Sequence, residues 1–594
     1  MLRSLLKRPS GTPDLIRNES GAVLPVIMGF VFIFALEIVG LSEYAASAMR
    51  QVRAQESRVR ALYLAEAATD KSLAQVKMFF ASNGAAPTAA QLQTMSADTP
   101  NIPAQYTYAD GGGTNTLDVG YYGNWTAKTL SVGDYAGLNG NTQSIDVSVQ
   151  VRDLTGQTQS TLTLNQRLEV QLIPIFQFGV FYENDLEILP GANMTFAGPV
   201  HGNKNLYLAA ESGASLSFQS QMTAAGDIFH GRKDSVKNMP GAVNIQDGSG
   251  TNQNMSNGDG TWLDSNDPDW LLESHDRWDG NVSSADHGVS QLKIPLPTGS
   301  QAQVMIDRRV AGESAEVQAQ KMDYKAHLRI IDGQVYNSAG NTVELRYCSG
   351  GGNFSNGTCP QGQTVVNPVT STTFYNGREG RTIKSTDIDV AKLNSSPAFQ
   401  TIKAGVTGGV ILYTSDRRSQ GSNTYQDAVR LVNGSTLPTG GMTVASENPL
   451  YIKGNYNTVN KQPSGVVGDS FNVLSNAWND GNSTQGLSNR VASNTTVQTA
   501  VIAGNTETVT GSYNGGFENL PRFLENWSGK TLTYKGSVIT LYNSRIATGA
   551  WNTGGVYNPP SRAWSFDTDF SDPSYSIPGF PSVYNIVKSS YEAV

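Results

Sequence analysis

A single strongly apolar segment lies near the start of the chain, and an amphipathic stretch follows it without a break. Residues 22–41 read AVLPVIMGFVFIFALEIVGL. Twenty helical residues rise about 30 Å, which matches the hydrocarbon core of a bilayer. Residues 42–80 contain no Pro and no Gly, and their apolar residues recur at helical spacing up to the stop signal Asn83-Gly84. The pattern therefore predicts one continuous helix over residues 22–80, apolar in its first third and amphipathic afterwards.

Two residues interrupt the apolar character of this predicted membrane segment. Pro25 falls in the first helical turn, where its missing backbone N–H costs little. Glu37 is the one charged residue between positions 22 and 41. A carboxylate inside a membrane generally has a partner or a function, but a carboxylate near the interface can extend into the headgroup region. Both interpretations of Glu37 remain open from the sequence.

Alternating apolar and polar positions predict an antiparallel hairpin within residues 141–175. Ile145, Val147 and Val149 share one strand face, and a similar alternation follows after a Gly-containing turn. Such a sheet can bury the amphipathic face of the helix. Residues 84–176 are therefore predicted to form a small antiparallel β region packed on the helix.

From residue 177 onward, short apolar pairs recur between Gly, Asn and Asp residues. GPVHGNKNLYL at 198–208 is echoed by NPLYIKGNYN at 448–457. Short strands joined by tight turns are typical of a parallel β-helix, or solenoid. A β-sandwich with irregular loops is the alternative. The predicted fold class is α+β and mostly β: a long helix, a small antiparallel sheet, and a solenoid-like body over residues 177–594.

Two parts of this body depart from the repeating pattern. The pattern blurs over about 231–440, which we interpret as insertions, and inserted loops often carry recognition. The phrases YNGGFENLPRFLENW at 513–527 and YNPPSRAWSFD at 557–567 have a texture of their own. Within the first phrase, residues 515–527 are predicted to form a short amphipathic helix. This helix would cap the open end of the solenoid, because exposed strand edges invite aggregation.

Composition and charge narrow the class of protein. Charged residues make up 15% of the chain, and 61 of its 594 residues are Gly, which favours a turn-dense β protein over a helical enzyme. Residues 1–80 carry a net charge of +3 and the remainder −11. An acidic body without clustered Lys and Arg is a poor nucleic-acid binder, so we expect no nucleic-acid partner.

The segment before the helix adds a processing signal. Residues 1–21 form a short basic leader that ends Glu19-Ser20-Gly21, with Ala22 opening the apolar helix. Together with ALYLAEAATDKSLAQV at 61–76, the segment ESGAVLPVIMGFVFIFALEIVG resembles the PilX N-terminal domain of type IV pilus minor pilins. The two C-terminal phrases also resemble the C-terminal region of large pilus assembly proteins of that type.

This resemblance implies a pathway. A prepilin peptidase would cut after Gly21, so that Ala22 becomes the first residue. The helix would first be held in the bacterial inner membrane and would then pack with the helices of other pilin subunits, leaving an extracytoplasmic head at the pilus tip or side. Such a head would serve pilus assembly and surface adhesion, next to a tip adhesin or on a surface glycan. The chain departs from the pilin pattern at Ala22, where Phe is usual, and at Val26, where Glu is usual, which favours a low-copy subunit.

Two alternatives to this pathway stay open. In one, the helix remains in the membrane and the protein is a permanently anchored surface adhesin. In the other, Ala46-Ser47-Ala48 is a signal-peptide cleavage site, and the protein is a secreted, carbohydrate-active β-helix. Mature chains that begin at Ala22, Met1 or Met49 distinguish the three.

The chain contains two cysteines, Cys348 and Cys359, in a Gly-rich loop. No His lies near them, so they do not form a zinc-binding pattern. A disulfide is the preferred interpretation, with two free thiols as the alternative. A disulfide places the body outside the cytoplasm.

An acidic loop is the strongest candidate for metal chemistry. Asp264, Asp267 and Asp269 offer oxygen ligands of the kind that calcium prefers, although their spacing does not match an EF-hand. The alternative is a solvated loop. The same region contains three tryptophans, which either pack beneath the loop or form a platform for sugar rings: Trp262, Trp270 and Trp278.

We find no signature of catalysis. The chain lacks the P-loop, dinucleotide, nucleophile-elbow and H-E-x-x-H motifs. His201 and His230 both precede Gly in predicted strands, and we interpret them as structural, stacked along the solenoid, with a ligand-facing role as the alternative. The sequence therefore predicts a structural protein rather than an enzyme, with calcium as the one candidate cofactor.

Overall fold

The computed structural model describes residues 23–109, 116–155, 161–235, 237, 239–551 and 554–594. The predicted leader, with Gly21 and Ala22, lies outside these residues. Seven α-helices occur in the described ranges: α1 (Val23–Asn83), α2 (Ala89–Ser96), α3 (Trp270–Trp278), α4 (Ala315–Gln320), α5 (Met322–Lys325), α6 (Val390–Ser395) and α7 (Pro397–Ala404).

The same residues form 33 β-strands, most of them short. The first seventeen are β1 (Tyr106–Ala109), β2 (Asp118–Thr129), β3 (Asn139–Asp153), β4 (Thr161–Pro174), β5 (Val180–Tyr182), β6 (Leu186–Ile188), β7 (Met194–Phe196), β8 (Val200–Gly202), β9 (Leu206–Leu208), β10 (Ala210–Phe218), β11 (Met222–Ala224), β12 (Ile228–His230), β13 (Pro240–Gln246), β14 (Asn252–Asn254), β15 (Val282–Ser283), β16 (Leu328–Ile331) and β17 (Gln334–Asn337). The others are β18 (Tyr347–Cys348), β19 (Val365–Val366), β20 (Val369–Asn376), β21 (Arg381–Asp389), β22 (Val410–Ser415), β23 (Tyr425–Val432), β24 (Met442–Ser446), β25 (Leu450–Lys453), β26 (Ser464–Gly468), β27 (Phe471–Leu474), β28 (Thr495–Gln498), β29 (Ala500–Ala503), β30 (Thr531–Gly536), β31 (Val538–Thr540), β32 (Ser561–Phe566) and β33 (Ser582–Ala593).

The long N-terminal helix is confirmed. α1 runs for 61 residues, which is about 92 Å at 1.5 Å per residue. It ends at the predicted stop, where Gly84 adopts φ 64° and its N–H donates to the Phe80 carbonyl at 3.0 Å. A left-handed residue at this position is favourable for Gly because it has no Cβ.

The first sheet is antiparallel throughout, and the end of the chain completes it. Its strand order is β1-β3-β4-β33, with β2 also paired to β3. The β3–β4 pair is the predicted hairpin, with Ile145 opposite Leu168. The last strand, β33, pairs with β4 over Ser582–Ala593. Residues 582–593, which the sequence analysis assigned to the body, therefore pair within the first sheet.

The body is organised around an eleven-stranded sheet in the order β15-β11-β8-β5-β31-β29-β26-β24-β22-β16-β17. All neighbours in it are parallel except β16 and β17. We call β5, β8, β11 and β15 the first arm, and the other seven strands the second arm. The chain builds the first arm outward from β5, crosses to the far end of the second arm, and returns inward to β31. The first and the last strands that the chain adds to this sheet, β5 and β31, are therefore adjacent and parallel.

Apolar side chains cover both faces of this sheet. In β5, Val180 and Tyr182 point into the main core, whereas Phe181 points to a second core on the opposite face. That second core also holds Ile173 of β4 and Val583 of β33, so it joins the first sheet to the body. The mostly β fold class is confirmed. Parallel neighbours are what a solenoid predicts, but solenoid and sandwich remain interpretations of the body.

The predicted helix over residues 515–527 is wrong. Only Phe517–Asn519 is helical, as a single 3₁₀ turn. Pro521 lacks the backbone N–H that a helix interior requires, and the chain beyond it is extended, with Arg522 bridged in parallel to Asn472. The apolar residues of the segment are buried as predicted, but they lie within the body's core: Phe517, Leu520, Phe523, Leu524 and Trp527.

Candidate functional site

The first part of α1 presents its apolar side chains to the outside. Every large apolar residue from Val23 to Leu41 is more than half exposed, up to 67% at Phe32. In the described part of the chain, α1 alone is long and apolar enough to cross a membrane, judged by length and composition. Exposure of an apolar patch this large marks a surface that binds a membrane or another protein.

The structure places both predicted residues of this segment on the exposed helix. Pro25 is the third residue of the described helix, where it removes no hydrogen bond. Glu37 lies about 18 Å further along the axis and has no ion pair or hydrogen bond within the described residues. Its carboxylate is therefore available to a lipid headgroup or to another subunit.

A basic collar separates the apolar segment from the folded head. Between residues 50 and 60, α1 carries four arginines and one glutamate. Arg60 pairs with Glu56 at 2.5 Å, and Arg50 Nε donates to the Ala46 carbonyl at 3.2 Å. The remaining positive charge of the collar is complementary to an anionic surface.

The second part of α1 is buried against the first sheet. Its buried positions are mostly small, which lets the helix axis approach the strands closely: Ala61, Ala65, Ala68, Thr69, Ser72, Val76 and Phe80. Tyr108 of β1 donates its hydroxyl to the Leu64 carbonyl at 3.1 Å. The two halves of α1 therefore differ in their surroundings. The second half is packed against the first sheet, whereas the apolar first half is exposed.

Strand β33 attaches the end of the chain to the same helix. Phe80 and Tyr584 stack with ring centroids 5.0 Å apart. Further out, Lys588 pairs with Asp70 at 2.5 Å, and the Tyr591 hydroxyl donates to Glu66 at 2.9 Å. These outer contacts are exposed and contribute little individually. The core contacts of the Phe80–Tyr584 pair and of Ile586 therefore carry most of this attachment.

The body also contacts the end of α1 directly. Thr298 donates from its N–H and from its hydroxyl to the Ser82 carbonyl, both at 2.8 Å. A Cβ on Gly84 would come within 2.7 Å of the Leu296 backbone, so the chain approaches too closely there for any larger residue. The helix is therefore held by both the sheet and the body.

The calcium candidates do not converge in the structure. Asp264 is buried and accepts from the backbone N–H groups of His230 and Asn266, both at 2.9 Å. Asp267 accepts from the N–H of Asp269 at 2.9 Å, and Asp269 precedes helix α3. Across the described residues no three His, Cys, Asp or Glu side chains group as a metal site. The carboxylates of Asp264 and Asp267 accept from backbone N–H groups instead.

The tryptophans of the same region do not form a sugar platform. Trp270 and Trp278 are 2% and 0% exposed and belong to the main core. Trp262 stacks on the His230 ring, with centroids 3.4 Å apart. The alternative interpretation, in which these tryptophans pack beneath the loop, therefore describes them.

The two strand histidines are not stacked on each other. His201 lies in β8 of the eleven-stranded sheet and His230 in β12 of a separate three-stranded sheet. His201 is fully buried between Asn203 and Thr223, 2.9 and 2.8 Å from its ring nitrogens. Burial lowers its pKa to about 4. His201 is therefore a neutral residue of the interior.

The two cysteines lie together, Cys348 at the end of β18 and Cys359 in the loop that leads to β19. Cys348 and Cys359 form a bonded pair with Cα atoms 5.5 Å apart. This separation is within the usual range for a disulfide. The loop that they close is exposed and belongs to the region interpreted above as insertions.

Two features of the structure were not predicted from the sequence. One is the return of β33 to the first sheet, which the alternation in SVYNIVKSSYEA could have suggested. The other is a cleft where the two C-terminal phrases meet, lined by Glu518, Trp551 and Arg562 among others. Nothing in the sequence of either phrase indicates that the two lie close together in the fold.

Comparisons with known proteins add little. No family model and no curated protein matches the chain. Among solved structures, it is similar to the crystal structure of competence-associated pilin ComZ from Thermus thermophilus, with 12% sequence identity and a TM-score of 0.24, over 90% of this chain and 97% of that chain. A TM-score of this size carries no argument about fold or function.

Proposed function

We propose that this protein is a structural, non-enzymatic subunit of the pilin type, which uses α1 first as a membrane anchor and then as an assembly helix. The observation that carries the proposal is the division of α1. Its exposed half is apolar over the thickness of a bilayer, and its buried half is part of the head. One continuous helix thus connects an apolar surface to the folded head.

The leader supports the same proposal. A basic segment, then Glu19-Ser20-Gly21-Ala22, then the apolar helix is the arrangement that prepilin peptidases act on in the family that the sequence resembles. We propose that cleavage after Gly21 releases the helix for packing with other pilin subunits. The bulk of the body argues for a minor subunit at the tip or side of the fibre, where it serves assembly and adhesion from outside the cell.

A permanently anchored adhesin is the second candidate. Val26 favours it, because the usual Glu at this position is absent. In that case α1 stays in the membrane, and the body is displayed without a fibre.

The deciding experiment is N-terminal sequencing and intact mass of the full chain, expressed with and without a prepilin peptidase. The proposal expects a peptidase-dependent start at Ala22, and the variant Gly21→Val should block it. Gly29→Val, which changes a Gly inside the helix, should leave cleavage unaffected. A chain that still starts at Met1 in the membrane fraction when the peptidase is present would refute the pilin pathway and leave the anchored adhesin.

A further inference from the structure

The two C-terminal phrases that the sequence leaves without a role form one wall of a cleft in the body. Segments 513–519 and 557–562 face the turn 189–194, which joins β6 to β7. The cavity volume is about 780 Å³, within the range of about 300–1,000 Å³ that is usual for small-ligand sites. We propose that this cleft binds a neutral saccharide.

An aromatic surface lines the cleft and is held in a fixed orientation. The Trp551 ring lies edge-on to Tyr513, with centroids 5.6 Å apart. Its indole N–H donates to the Tyr557 hydroxyl at 3.0 Å, and that hydroxyl donates to Asn519 at 3.0 Å. A Cβ on Gly515 would come within 2.7 Å of the Trp551 ring, so the ring packs directly on the backbone there. Rigid aromatic side chains offer contact area at a low entropic cost, and their faces suit the C–H faces of sugar rings.

Polar groups of both hydrogen-bonding kinds lie beside this aromatic surface. Glu518 is 4% exposed and accepts from the Leu189 N–H at 3.3 Å. Burial raises the pKa of Glu518 to about 7, so near neutral pH its carboxyl both donates and accepts. Arg562 donates to the Glu518 carbonyl at 3.1 Å and to Asn519 at 3.4 Å. Sugar hydroxyls also donate and accept, and this mixed set of groups matches them.

The charges around the cleft favour a neutral ligand over an ionic one. At the rim, Lys237 is paired with Glu211, and Arg232 is paired with Asp234 at 2.8 Å. Arg232 also covers one face of Tyr513, with its guanidinium carbon 4.1 Å from the ring centroid. Two ionisable side chains are left: Glu518, which is partly protonated near neutral pH, and Arg562, whose guanidinium donates to the Glu518 carbonyl and to Asn519. The one partly compensated positive charge of the cleft is therefore engaged in internal hydrogen bonds, which disfavours a phosphate, a sulfate or an acidic sugar.

The proposal rests on the proposed function in one respect, since a surface saccharide requires the body to be outside the cell. The experiment is titration of the full chain, in a detergent without a sugar headgroup, with maltotetraose, cellotetraose and chitotetraose. Binding is followed by isothermal titration calorimetry. A sialylated trisaccharide and poly-L-proline serve as the anionic and peptide probes.

We expect saturable binding of at least one neutral tetrasaccharide, weakened at least tenfold by Trp551→Ala and within threefold of the parent for Trp551→Phe. Ala192→Trp fills the cleft from an exposed position without removing a contact, so it should also weaken binding if Trp551→Ala fails to fold. Tyr122→Ala, at a 58% exposed ring on β2, is the matched control and should bind like the parent.

Three results would overturn the saccharide proposal. These are no binding of any neutral tetrasaccharide, binding of only the sialylated or polyproline probe, and binding that survives both cleft variants. The uncut chain is sufficient for this assay. Failure here therefore leaves the question of cleavage at Ala22 untouched, and failure of cleavage does not affect the titration.

Discussion

Phe80 gives the sharpest test of how the helix is held by the head. Its side chain is 1% exposed, lies in the core between α1 and the first sheet, and stacks on Tyr584 of β33. Phe80→Ala removes a buried aromatic ring and leaves a cavity, which costs about 3–5 kcal/mol. Part of that cost is the aromatic pair itself, about 0.5–1.5 kcal/mol.

The loss should be local, because the body has its own cores. We expect amide hydrogen exchange of β33 and of the last turns of α1 to accelerate by about two to four orders of magnitude, since each 1.4 kcal/mol is about tenfold. Strands β24 and β26, inside the second arm, should keep their protection. The measurement is exchange mass spectrometry on the full chain in detergent.

Met78→Ala is the matched control, two residues away on the same helix at a 68% exposed position. It should change protection by less than about 0.5 kcal/mol. The reasoning would be refuted if Met78→Ala has the same effect as Phe80→Ala. It would also be refuted if Phe80→Ala leaves β33 protected, or if the body loses protection as much as β33 does.

Two further predictions concern buried charges of the body, both measured by urea unfolding. A carboxyl whose pKa is raised on folding contributes stability that is fully present below its unfolded pKa and is lost as the pH rises through the folded value. Folding raises the pKa of Glu518 from 4.5 to about 7, so the free energy of unfolding of the parent, relative to that of Glu518→Gln, should fall by about 3 kcal/mol between pH 4 and 8. A difference that stays constant over this pH range would contradict the prediction. Arg430 is 2% exposed and is paired with the buried Asp387 at 2.5 Å and with the partly exposed Asp480 at 2.6 Å. Arg430→Ala should therefore cost about 3–5 kcal/mol, chiefly by leaving the buried Asp387 carboxylate without its partner, whereas the exposed Arg53→Ala should cost less than about 0.5 kcal/mol.

The parts of the fold that the sequence predicted correctly are those set by neighbouring residues. α1 ends at Gly84, which adopts a left-handed conformation without strain because it has no Cβ. The β3–β4 hairpin depends on alternation within one segment. Residues 515–527 show the limit of such reasoning, because their apolar spacing suits a helix while Pro521 prevents one. Their burial was predictable, and their conformation was decided by the strands around them.

The features that the sequence did not predict are long-range pairings. β33 pairs with β4 across more than 400 residues, and nothing in either strand specifies the other. The same holds for the cleft, where Glu518 and Leu189 are 329 residues apart in the chain. Long-range contacts also explain why the three carboxylates of the acidic loop do not group together in the described part of the chain. The sequence around Asp264 names no partner for its carboxylate, but the carboxylate accepts from backbone N–H groups, including that of His230, which is distant along the chain.

The topology bears on how such a body can be carried on a helix. Because β4 leads into the body and β33 returns from it, the body is an insertion between two paired strands of the first sheet. A body joined by one linker can swing, whereas a body joined at two adjacent strands cannot rotate freely. The shared core makes the joint firmer, since Ile173 and Val583 of the sheet pack with Phe181 and Ile539 of the body's central strands. The eleven-stranded sheet spans about 48 Å, and β5 and β31, whose side chains share the second core with the first sheet, lie within it rather than at one end. A pull on α1 would therefore be transmitted through this core to the interior of the sheet, and the cleft would keep a fixed orientation to the helix.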